Sequence, residues 1–230
     1  MIHSEEIIAA GKLIVSMSYD LEQEDAGQFS VIKMSPVMKF HTEKFTAKGL
    51  GSVFVMKMNM GLMQMVSFIL TPFERDMPML SMDYIFAPGT IKAYAEFYDL
   101  TENPESGEYQ AILTSLSGLC ERYRYMKDVP QIGTPWYADI RKVYLVKEGS
   151  DYSAMNALFQ DIVTTYIETS RTLPLLASDA RERKRMVVRN YCENLVRNGG
   201  ASTNVFKKKF GSDFTSQFFA KVMFGYERTY

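Results

Sequence analysis

Met63–Gly89 reads MQMVSFILTPFERDMPMLSMDYIFAPG. Two apolar runs, Met65–Leu70 and Met79–Phe86, flank the turn-rich segment TPFERDMP, the pattern of a β-hairpin whose strands lie in a core. Side chains alternate along a strand, so Met79, Ser81, Asp83 and Ile85 share one face and Leu80, Met82, Tyr84 and Phe86 the other. Neither set belongs on a solvated face. The carboxylate within it, Asp83, therefore needs a partner or a raised pKa. Either it caps a turn or pairs with a buried Arg or Lys as a structural group, or it is a candidate proton donor.

Outward from this hairpin the strand pattern continues on both sides. Phe29–Met34, Val37–Ala47, Ser52–Met60 and Ile91–Tyr98 complete a run of predicted strands joined by Ser-Pro, Lys-Gly, Asn-Met-Gly and Pro-Gly signals, a mostly antiparallel meander. Before it, Ser4 is a candidate cap for a first helix with Ile7, Ile8, Gly11, Ile14 and Val15 on one face, and the acidic LEQEDAG reads as a loop. After it come a helix from Glu108 to about Lys127, a strand over Trp136–Lys147 and a helix capped by Asp151. That helix carries Met155, Leu158, Phe159, Ile162, Val163, Tyr166 and Ile167 at helical spacing. A further helix spans about Asp179–Arg197 and stops at Asn198-Gly199-Gly200; two short ones follow, divided at Gly211. Strands first and helices after is the order of an α+β protein with a central sheet packed by helices, here expected as one domain over residues 1–230.

The composition, 47% hydrophobic and 23% charged with a formal net charge of −1, is that of an ordinary globular protein and argues against a nucleic-acid or membrane-surface binder. The start lacks the pattern of a signal peptide and no run approaches a membrane span, so a cytoplasmic location is expected. Cys120 and Cys192 lack metal-ligand spacing, and the two histidines, His3 and His41, leave little from which to build a metal site. Fourteen Tyr and fifteen Phe suit either a large flat ligand or a plain aromatic core. From Asp179 to Phe210, nine basic residues face three acidic ones, enough to steer an acidic partner or simply a solvated helix face.

Several stretches, in the same order, resemble the ferredoxin-dependent bilin reductases. MKFHTEKF (Met38–Phe45) is similar to that family's strand with a His-x-Glu pair, and ILTPFERDMPMLSMDYIFAPG to the segment leading to its catalytic Asp and a Pro-Gly. TPWYADIRKVYLVKE is similar to a Trp-containing strand ending in a basic residue near the pigment's propionates. NYCENLVRNGG and TNVFKKKFGSDFTSQFFAKVMF resemble the closing helices. The resemblance runs from about residue 36 onward. It implies a three-layer α/β/α sandwich around a mostly antiparallel sheet. A linear tetrapyrrole such as biliverdin would be reduced there by single electrons from external reduced ferredoxin or flavodoxin, with no bound cofactor and with side chains supplying protons.

Carried over residue by residue, the resemblance makes Asp83 the central proton donor, His41 and Glu43 the assisting pair, and Lys147 the propionate-binding cation. Two departures stand out. Ser67 occupies the place of a second catalytic His in some members, leaving it as a substrate-contacting position, and Gly199-Gly200 replaces an Asp. Fewer proton donors suit a two-electron reduction of one double bond, a different tetrapyrrole, or binding without turnover; separately, a monomer is expected. The alternatives are a bilin carrier without turnover, or an enzyme acting on another planar substrate.

Overall fold

The structure, a computed structural model, describes residues 2–131 and 133–227. Its strands are β1 (Leu21–Glu24), β2 (Val31–Lys33), β3 (Lys39–Ala47), β4 (Gly51–Met60), β5 (Met63–Thr71), β6 (Met79–Ala87), β7 (Thr90–Tyr98), β8 (Lys127–Asp128) and β9 (Arg141–Gly149). They form one sheet in the order β1-β3-β4-β5-β6-β7-β9-β8, with β2 also on β3, and each pairing among the described residues is antiparallel. The Met63–Gly89 hairpin is its centre, as its apolar runs require: a strand buried on both faces reads as nearly continuous hydrophobicity.

Helices cover both faces. On one lie α1 (Ile2–Ser16), α2 (Gly107–Arg122) and α3 (Tyr152–Arg171); on the other lie α4 (Ser178–Asn198) and α5 (Ala201–Phe218), followed by a π-helical turn over Phe219–Met223. This is the expected α/β/α sandwich. The predicted face of α3 is buried throughout, and Asp151 caps it by accepting from the Ser153 and Ala154 amides at 2.9 and 3.4 Å. Ser106 caps α2 in the same manner, accepting from the Tyr109 amide at 3.1 Å. Gly211, with φ of 85°, kinks α5 where the division between two helices was expected.

Three local expectations are corrected. Ser4 does not cap α1 but sits inside it, buried, its hydroxyl without a hydrogen-bond partner. The acidic stretch read as a loop contains β1, an edge strand too polar to show alternation. It is tied down instead by ion pairs, Lys44 to Glu24 at 2.5 Å and Lys48 to Asp20 at 3.1 Å and to Glu22. The strand expected from Trp136 begins only at Arg141, after a 3-10 turn over Ala138–Ile140. Among the described residues no helix is long and apolar enough to cross a membrane.

Candidate functional site

Register brings Met56 of β4, Ser67 of β5, Asp83 of β6 and Tyr94 of β7 into one row across the sheet. The row faces α4 and α5, and above it opens a cleft of about 940 Å³. Met56, Met58, Met60 and Met65 form much of its floor, and Ser202, Val205 and Phe206 of α5 one wall. Val129, Pro130 and Gln131, with Gly133, Thr134 and Pro135, close another side. Thioethers and aromatic rings make this an adaptable apolar surface, of a size that takes a large organic ligand.

Asp83 is half-buried in the floor, its remaining surface open to the cleft. Burial pushes its carboxyl up to about 6; the Ser67 hydroxyl, which donates to Asp83 and favours the charged form, opposes this, and the Glu96 carboxylate adds to it. Ser67, expected to contact substrate, is buried in the sheet and does not line the cleft; its hydroxyl donates to Asp83. The cations of this cleft are Lys92 and Arg141. Arg141 donates to Glu96 at 2.7 Å and to Gln131, and its guanidinium lies 3.9 Å from the centre of the Tyr144 ring. At the edge of the cleft the Trp136 indole donates to the Gly199 carbonyl at 2.8 Å and packs against Tyr137 and Tyr191.

The structure does not bring His41, Glu43 and Lys147 to Asp83. His41 and Glu43 do share a face, but it is the opposite one, under α1, where they border a separate niche of about 200 Å³ with Glu5, Lys57 and Asn59. Glu43 is engaged there by Lys12 at 2.8 Å. Lys147 is buried on that face too, with its ammonium on Asp128 at 2.6 Å. A period of two says which residues share a face, not which face it is, and one residue of offset reverses the answer.

Sequence reasoning missed Lys92, Tyr94, Glu96 and Arg141. The first three alternate in β7 with buried Ile91, Ala93, Ala95 and Phe97, a pattern that reads as a solvated outer face; here that face lines the cleft.

The α/β/α layering of the chain is consistent with the bilin reductase fold. Among solved structures it is similar to phytochromobilin synthase from tomato, determined in complex with biliverdin. The TM-score is 0.78, with 96% of this chain and 83% of that one covered, at 11% sequence identity. No family model and no curated protein sequence matches the chain.

Proposed function

We propose that the chain is an oxidoreductase that binds a linear tetrapyrrole, biliverdin or a relative, in the Asp83 cleft and reduces one of its double bonds. The observation that carries this reading is a carboxyl with its pKa pushed up to about 6 in the floor of an apolar cleft of about 940 Å³, within a fold shared with a biliverdin-bound protein. Reduction of one double bond takes two electrons and two protons. Electrons arrive singly from an external reduced ferredoxin or flavodoxin. Asp83 gives a proton to the pigment as electron density builds up on it and is reprotonated from solvent, which also supplies the second proton. Lys92 and Arg141, rather than Lys147, are the cations in reach of pigment carboxylates in this cleft. His41 and Glu43 have no part in that step, since the sheet separates them from Asp83.

The test is an absorption titration with biliverdin, followed under anaerobic conditions by a ferredoxin reducing system. Binding and conversion to a product with a shifted spectrum are expected, with Asp83→Asn retaining binding and losing turnover by about a hundredfold or more. Unchanged turnover in that variant removes Asp83 from the mechanism. Binding with no spectral change on reduction identifies a carrier instead.

A further inference from the structure

Glu96 enters the cleft on the strand beside Asp83. In the β6–β7 register Asp83 lies opposite Tyr94 and Ser81 opposite Glu96, so the two carboxylates are diagonal neighbours on one face, within reach of each other's charge. Both Glu96 oxygens are taken by protein donors: Oε1 accepts from Arg141 at 2.7 Å and Oε2 from the Tyr98 hydroxyl at 2.8 Å. The carboxylate is thereby fixed beside Asp83 instead of swinging toward water. Arg141 is fixed in turn by Gln131 and by the Tyr144 ring.

We propose that Glu96 is a positioning residue for the Asp83 acid, its fixed carboxylate favouring the protonated form of Asp83, and that Arg141 sets how strongly that charge is felt. The functional meaning of this rests on the reading of Asp83 given above, but the electrostatic relation belongs to the ligand-free protein. The groups facing Asp83 leave few competitors. Ser67 comes from β5, Lys92, Tyr94 and Tyr98 from β7, Arg141 and Tyr144 from β9 and Tyr137 from the turn before it; α4 brings Tyr191 against Tyr98, both phenols held neutral by burial, and α5 presents Ser202, Val205 and Phe206, none of them titratable. Lys92 lies 4.0 Å from Glu148. The local balance is therefore Glu96 against Arg141, and the upward push on Asp83 from Glu96 agrees with it.

Opposite substitutions separate this from a merely structural role. In protein labelled with ¹³C at aspartate carboxyls, the Asp83 resonance is assigned by its loss in Asp83→Asn and titrated with pH, without ligand. Glu96→Gln, nearly isosteric, is expected to lower the Asp83 midpoint by on the order of one pH unit. Arg141→Gln is expected to raise it, and Arg141→Lys, which keeps the charge, to leave it near the wild-type value. Midpoints that do not move, or that move the same way in Glu96→Gln and Arg141→Gln, overturn the proposal. Should Arg141→Gln not fold, the contrast between Glu96→Gln and Arg141→Lys still decides. Because no pigment is used, failure here leaves the bilin reading standing, and failure of that reading leaves this test intact.

Discussion

A carboxyl whose pKa rises on folding binds its proton more tightly in the folded chain than in the unfolded one. For Asp83, raised from 3.8 to about 6, the folded state holds the extra proton between those values, so stability falls as pH rises through that window and the full penalty is present above it. Asp83→Asn removes the titration while keeping an oxygen that can accept from Ser67. It is expected to stabilise the protein at pH 7 by on the order of 1 kcal/mol, discounted for the side open to the cleft, and to have little effect below pH 4. Thermal unfolding at the two pH values checks this; an equal shift at both would mean that packing, not charge, is responsible. Asp83 was legible in the sequence because a lone carboxylate stood inside a strand with no solvated face. Glu96 and Arg141 were not, because their environment is made by strands and loops distant in sequence: Arg141 is forty-five residues from the Glu96 it pairs with.

At the level of the element, Gly11 shows how closely α1 lies on the sheet. A Cβ there would sit 2.7 Å from Phe68 and 3.0 Å from Phe159, two rings that pack edge to face at 5.6 Å in the core. Gly11→Ala gains helix propensity but overpacks rings with nowhere to move, and is expected to lose about 1–3 kcal/mol. Gly118→Ala, in α2 with nothing within 4 Å of the added methyl, is expected to gain about 0.5–1 kcal/mol. Denaturant unfolding of the pair checks both signs, and a stabilised Gly11→Ala would contradict the close approach. The amphipathic helices and buried strands were readable because each carries its own period. Strand β1 was not: its place comes from hydrogen bonds offered by β3 and from lysines further along the chain, so nothing within its own four residues announces it.

Across the whole molecule, the basic run from Asp179 to Phe210 contains two contrasting groups. On α4, Arg181, Arg183 and Arg189 are paired with Glu74, Glu102 with Asp179, and Glu193 respectively. Lys184 is fully buried, donating to Asp76 at 3.2 Å and to the Met77 carbonyl at 2.8 Å. It locks the turn between β5 and β6 onto α4, and breaking such a buried pair costs about 3–5 kcal/mol. On α5, Lys208 and Lys209 are exposed and make no ion pair among the described residues. They stand one helical turn from Val205 at the cleft wall. If an acidic electron donor docks beside the cleft, Lys208→Glu with Lys209→Glu should lower the apparent affinity for it by tenfold or so at low ionic strength and flatten its salt dependence. Pigment binding should be unaffected, and an unchanged salt dependence would place the donor elsewhere. The summed charge of the run concealed this division, which only tertiary contacts create.

Trp136 is the single tryptophan in the chain, and its ring is anchored at the rim of the cleft by the carbonyl of Gly199 and two tyrosines. The molecule thus carries one built-in emitter at the place where a pigment would lie. Energy transfer from that indole to any bound chromophore would dim its fluorescence, so occupancy of the site can be followed in unlabelled protein, and the Asp83, Glu96 and Arg141 variants compared on one optical scale.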